Sequence, residues 1–286
     1  MQIKLKNMTG IASPKVEHFD LHEVFGVACL VDVGEKVTLT LNQIACRSWL
    51  KQEHPHIVNI KWFDVNSVII YYVGIGAAIV SVENWHNIRL YAAYKLFVSN
   101  RYILVAHDEE SLYSFRSGEL KGNIISVFLR DGTFELGIGE LMDKDRDSWE
   151  FDELEAGYVF DDKFAFIAYA SELFWVLDVS KRSWTKFPVP FATVGIEVLT
   201  GDDKTAYAIF DHRSLLNAYP NLPPFELAVF DLLSETSAKE DFGPVETALT
   251  AAGFEMSEIK FQPSSTGKII VSDGKKAALL EISGVA

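Results

Sequence analysis

The sequence predicts an all-β chain of about six successive four-stranded units, and three observations carry the prediction. Runs rich in Val, Ile, Leu, Phe and Tyr recur along the 286 residues, each closed by Gly, Asp, Asn or Ser, which is the pattern of sequential antiparallel hairpins. The units begin about 40 to 60 residues apart, the spacing of one small sheet per repeat. The last unit is one strand short while QIKLK at 2–6 is strand-like, so the N-terminal strand is expected to complete the last sheet and cover two open edges.

The first unit runs from Phe19 to Leu41, with GVACLVD at 26–32 meeting KVTLTL at 36–41 through a Val-Gly-Glu turn. The second, Ile57 to Tyr91, holds the longest apolar run, VIIYYVGIGAAIVSV at 68–82. That run is shorter than the ~20 residues that cross a bilayer and is interrupted by Gly74 and Gly76, so it reads as two buried strands and a tight turn. The third runs from Leu96 to Gly137, with Asp131-Gly132 as its clearest hairpin turn. The fourth is Tyr158 to Pro190. The fifth pairs AYAIF at 206–210 with ELAVFD at 226–231 across an insertion holding Pro220, Pro223 and Pro224. The sixth, Ile259 to Ile282, turns at Asp273-Gly274. Two segments break the strand pattern: Asn42 to Gln52, read as a short helix capped by Asn42, and Pro244 to Ala252, read as a helix stopped by Gly253.

Composition narrows the function classes. A hydrophobic fraction of 49% with 13% aromatics suffices for a packed core. Forty acidic against 26 basic residues leave a net charge of −14, which opposes phosphate backbones and anionic lipid and favours cationic partners. Neither nucleic acid nor a membrane is expected as a ligand. Cys29 and Cys46 are too few for a disulfide framework, and the N-terminus lacks the apolar core of a secretory signal, so a reducing, cytoplasmic setting is expected.

The fourth unit reads KFAFIAYA at 163–170, ELFWVLD at 172–178 and SWTKFP at 183–188. A strand ending in Asp178, followed by Trp184, Thr185, Lys186, Phe187 and Pro188, resembles a kelch-type blade, and the resemblance covers this one unit of six. It implies a single β-propeller domain over residues 1–286, of kelch-like or WD40-like repeat architecture, with about six four-stranded blades; five and seven lie within the same spacing.

Signatures of chemistry are sparse. No Gly-x-Ser-x-Gly elbow, His-Glu-x-x-His pair or Gly-Lys-Ser/Thr phosphate loop occurs. Gly74-Ile-Gly76 and Gly137-Ile-Gly139 lack the helix that a dinucleotide loop needs. His54 and His56, or His18 and His22, would each give only two metal ligands, so neither a metal nor another cofactor is expected. Asp64, Asp108, Glu109, Asp178 and Asp211 all follow strand-like runs, and no catalytic set is assigned among them.

Two segments suit partner binding. The stretch ELMDKDRDSWEFDELE, 140–155, carries eight carboxylates against Lys144 and Arg146. Its Asp143, Asp145, Asp147, Glu150, Asp152 and Glu153 would steer a basic protein while Trp149 and Phe151 supply buried anchors. The second is the long 211–224 connection, with His212, Arg213 and Tyr219 as candidate contacts. The expected function is a non-enzymatic protein-binding scaffold for a basic partner, such as an inhibitor or immunity-type protein that neutralises a nuclease toxin. The alternative is a propeller carbohydrate hydrolase or lyase using rim carboxylates, with Trp62 or Trp85 stacking on sugar.

Overall fold

The computed structural model describes residues 2–8, 16–53, 57–72, 76–88, 95–106, 125–137, 154–168, 173–190, 195–264, 266 and 268–283. The chain divides into two compact units, Gly10–Trp149 with Ser264–Thr266, and Glu150–Pro263 with Met1–Thr9 and Gly267–Ala286. Among the described residues, the strands form six four-stranded antiparallel sheets, three in each unit.

The second unit receives the N-terminal strand β1 (Gln2–Met8). In the first unit, β2 (Val16–His22), β3 (Gly26–Val33), β4 (Lys36–Leu41) and β5 (Ile44–Leu50) form one sheet. The next holds β6 (Ile57–Asp64), β7 (Ser67–Tyr72), β8 (Gly76–Ser81) and β9 (Trp85–Ile88). The third holds β10 (Lys95–Val98), β11 (Tyr102–Ala106), β12 (Ile125–Leu129) and β13 (Phe134–Gly137). In the second unit, β14 (Leu154–Phe160), β15 (Lys163–Ala168), β16 (Leu173–Asp178) and β17 (Ser183–Pro188) precede β18 (Ile196–Gly201), β19 (Thr205–Asp211), β20 (Phe225–Asp231) and β21 (Thr236–Glu240). Helix α1 (Gly243–Ala251) leads into β22 (Lys260–Pro263), β23 (Ile269–Ser272) and β24 (Ala277–Ser283). Their sheet is completed by β1, which pairs with β24 from Gln2↔Ser283 to Met8↔Ala277. The expected donation of the N-terminal strand to the last sheet is therefore observed.

Burial within a sheet follows strand position. β7, β11 and β20 are buried on nearly every residue, whereas β5 and β21 are mostly exposed and β17 is exposed at half of its residues. Inner strands are packed on both faces, so they read as continuous apolar runs; the outermost strands face water. Single apolar clusters bridge neighbouring sheets. One joins Val198, Ile209, Leu227 and Val229 to Phe261, Val271 and Leu280 beneath Val245 and Leu249 of α1. Another joins Leu30 and Leu39 to Ile60, Val68 and Ile70.

The expected helix over Asn42–Gln52 is replaced by a hairpin into β5. Asn42 and Gln43 both adopt positive φ, 50° and 70°, which matches a tight two-residue turn to the strand twist. Asn42 then works as a clasp instead of a helix cap: its Oδ1 accepts the Val27 N–H and its Nδ2 donates to the Phe25 carbonyl. The second expected helix is present as α1, with Pro244 in its first turn and Gly253 at φ 76° just past its end. At the Asp131-Gly132 turn, Gly132 has φ 87° and Asp131 Oδ1 accepts the Thr133 N–H. In the kelch-like sheet, Asp178 Oδ1 accepts from the Ser180 hydroxyl and the Lys181 N–H, so this aspartate closes the β16–β17 turn.

Candidate functional site

The 211–224 connection is a held structure. β19 ends at Asp211, a short 3-10 turn spans Arg213–Leu215, and the prolines at 220, 223 and 224 carry the chain into β20. The His212 N–H donates to the Pro224 carbonyl, closing the base of the loop. Arg213 holds its side. Its Nε donates to both Asp211 carboxylate oxygens, its Nη1 to the carbonyls of Met256 and Ser257, and its Nη2 to Asp211 and the Ile259 carbonyl. The guanidinium also lies 4.9 Å from the Phe225 ring centre. Hydrogen bonding to Asp211 raises the Arg213 pKa, with Glu197 adding to the same direction. Arg213 thus ties the loop to the segment that enters β22.

Between loop, β21 and α1 lies a cleft of about 530 Å³. Leu216, Pro223, Pro224, Phe225, Phe242 and Met256 give it apolar walls, and Phe225 stacks on Phe242 at 5.2 Å. Its acidic residues are Glu226, Glu240, Asp241 and Glu246. Asp241 Oδ1 accepts the Gly243 N–H at the start of α1, and Glu246 lies in the first turn, where the helix dipole favours negative charge. Glu226 is only 7% exposed, and its carboxylate pairs with Lys239 and lies 3.9 Å from His212 Nδ1. His212 is itself buried, and its Nδ1 has no hydrogen-bond partner among the described residues.

Of the residues expected at the site, Arg213 lines this cleft, His212 is buried behind Glu226, and Tyr219 is 61% exposed on the loop. Asp143, Asp145, Asp147, Trp149, Glu150, Phe151, Asp152 and Glu153 lie outside the described residues, as do His54, His56, Asp108 and Glu109. Sequence reasoning missed Phe242, Met256, Glu240, Asp241 and Glu246, because their approach to the 211–224 loop is a tertiary contact that no local pattern marks. The nearest available signal was the amphipathic start of α1 beside a long loop on the preceding strands.

The remaining carboxylates of interest serve turns. Asp64 caps the Asn66 N–H, Asp178 the Lys181 N–H, and Asp211 holds Arg213. Trp62 is buried, with its Nε1 donating to the Gly26 carbonyl and its backbone N–H to Asp20, a fully buried carboxylate. Trp85 donates to Asn87 Oδ1 and meets Trp49 edge-on at 5.8 Å. His22 accepts the N–H groups of Val24 and Phe25 at Nδ1 and stacks on Phe25 at 3.7 Å.

The first unit has a cleft of its own, about 480 Å³, among the β4–β5, β6–β7 and β8–β9 turns. Its walls include Ile44, Val65 and Val82, which are 57%, 58% and 48% exposed, together with Asn66, Asn84 and Glu83.

No protein-family model matches the sequence, and no curated protein matches it. Solved structures do. The chain is similar to KlHsv2 with its loop 6CD replaced by a Gly-Ser linker, at TM-score 0.56 and 11% identity over 95% of this chain and 85% of that one. It is similar to a chain of the mitotic checkpoint complex, at TM-score 0.52 and 9% identity over 98% and 91%. It is also similar to the WD40 domain of Neurospora crassa Pan2, at TM-score 0.50 and 13% identity over 93% and 74%. With six four-stranded antiparallel sheets and these likenesses, the fold is a β-propeller of six blades.

Proposed function

We propose that this chain is a non-enzymatic protein-binding scaffold for a basic protein partner, acting in the cytoplasm as an inhibitor of the immunity type that neutralises a nuclease toxin. The observation that carries the proposal is the cleft over β21 and α1, whose apolar walls bear Glu240, Asp241 and Glu246. Apolar walls supply contact area that excludes water, and carboxylates beside them favour a cationic segment over a neutral or acidic one. The net charge of −14 speeds encounter with such a partner. The acidic 140–155 segment adds a second steering element, with Trp149 and Phe151 as anchors.

The test is binding and inhibition of purified basic nuclease toxin domains by the intact chain, at low and at physiological ionic strength. Affinity should fall steeply with salt, and neutralising Glu240, Asp241 and Glu246 together as Gln, Asn and Gln should weaken it about tenfold, since each rim charge contributes modestly to association. Absence of binding to any cationic protein, or binding indifferent to both salt and the triple substitution, would overturn the proposal.

A further inference from the structure

We propose that Glu226 is the cation-reading position of this cleft and that Lys239 is an internal stand-in for an arginine side chain of the partner. The inference rests on the scaffold reading above and names the chemistry that its cleft selects.

A carboxylate that is 7% exposed needs a counter-charge, because an unpaired buried anion is strongly unfavourable. Glu226 receives one from Lys239, an exposed residue of the edge strand β21, and both line the cleft. The contrast is Arg213, whose guanidinium is held by Asp211 and three carbonyls and has no exchangeable role. Lys239 engages Oε1, whereas Oε2 faces His212 Nδ1 at 3.9 Å, beyond hydrogen-bond reach.

An ammonium donates to this carboxylate at one oxygen; a planar guanidinium donates to both. Replacing Lys239 by an incoming arginine exchanges one cation for another, so no charge is left buried alone, and the released lysine returns to water with its rotamer freedom restored. The residues flanking such an arginine would meet Phe225, Phe242 and Met256, and Glu240, Asp241 and Glu246 would draw it in. The occupant is thus an arginine between apolar residues on a basic protein.

Two capped peptides, acetyl-Leu-Arg-Leu-amide and the same peptide with neutral, nearly isosteric citrulline, test the inference by titration calorimetry against the full chain. The arginine peptide should bind about tenfold more tightly than the citrulline peptide, and Glu226→Gln should remove that preference. Lys239→Ala should strengthen arginine-peptide binding about threefold or more, whereas Lys204→Ala, which deletes the same charge from an exposed turn, should leave it unchanged. If Glu226→Gln lowers the melting temperature, the two lysine variants decide the question. Equal affinity for the two peptides, or a Lys239→Ala chain that binds no better than Lys204→Ala, would overturn the assignment. In that event, salt-sensitive capture of basic proteins that still responds to the acidic triple substitution would leave the scaffold reading standing, and its loss would remove both.

Discussion

The two clefts are similar in size, about 530 and 480 Å³, yet they are built from different parts of the chain and carry different chemistry. The one in the second unit is assembled from a long loop, an edge strand, a helix and the segment behind it, and it combines aromatic walls with four carboxylates. The one in the first unit is assembled from hairpin tips, and it shows Ile44, Val65 and Val82 beside the amides of Asn66 and Asn84 with Glu83 as its single charge. Hairpin tips are short and present whatever residue the turn tolerates. A loop pinned at both ends can instead close one side of a cleft whose carboxylates stand at fixed separation on β20, β21 and the start of α1.

That difference can be broken most severely by removing β1. Deleting residues 2–8 uncovers β24 and takes Ile3 and Leu5 from the cluster that also receives Val245 and Leu249, beneath the helix that forms one cleft wall. A loss of about 4 kcal/mol or more is expected from the lost apolar contact and the exposed edge, read as a lower denaturation midpoint with amide protection failing first in β22–β24. An unchanged midpoint would show that the strand adds nothing to its sheet.

Arg213→Ala should come next, at about 2–4 kcal/mol, because it removes the guanidinium donors from Asp211, which keeps only the backbone N–H of residue 213, and from three carbonyls. The 211–224 loop should then become protease-sensitive, while the apolar cleft among the hairpins keeps its structure. Asp20→Asn is the matching change in the first unit. It weakens the carboxylate that accepts from the Leu21 and Trp62 N–H groups and approaches Lys61, and about 1–3 kcal/mol is expected by chemical denaturation. Replacing Ile44, Val65 and Val82 together with Ser should change stability by less than about 1 kcal/mol, since all three are exposed, and should leave capture of a basic partner intact.

The smallest effects are on pH dependence, and they have opposite signs in the two units. Burial, followed by the nearby Asp211 charge, raises the pKa of Glu197, so the folded chain holds a proton there that the unfolded chain has lost. Its contribution to stability therefore declines as pH rises from the ordinary glutamate range through the raised value. Burial lowers the pKa of His22, against the pull of Asp20 and Glu23. The unfolded chain then binds the extra proton, and that contribution declines as pH falls from the ordinary histidine range to the lowered value. Denaturation midpoints of Glu197→Gln and His22→Asn across pH 4 to 8 should flatten these two slopes separately, and a profile unchanged in either variant would contradict its assignment.

Much of the fold was legible because sheet-forming residues announce themselves locally. The KVTLTL run alternates burial as it alternates polarity, Asp131-Gly132 and Asp273-Gly274 turn where glycine permits positive φ, and QIKLK supplies the fourth strand that the last sheet lacks. The misread segment, Asn42–Gln52, shows where local reading fails. IACRSWL has no strict alternation because β5 is an outermost strand with little apolar demand, and Asn42 serves a tight turn as readily as a helix cap. The cleft was half legible. The 211–224 loop was singled out by its length and prolines, but Arg213 turned inward to backbone carbonyls more than forty residues away, and the acidic wall came from β21 and α1.

Strand periodicity, turn chemistry and net charge are local or additive properties, so an ordered string of residues was enough to announce a series of about six four-stranded sheets and a net anionic chain, whereas the count of six was decided by the pairing of the strands. Which carboxylates stand together, and which already hold a cation, depends on approaches between segments distant in the chain. Glu226, Lys239 and His212 come together only when β20 pairs with β21 and the 211–224 loop folds back between β19 and β20.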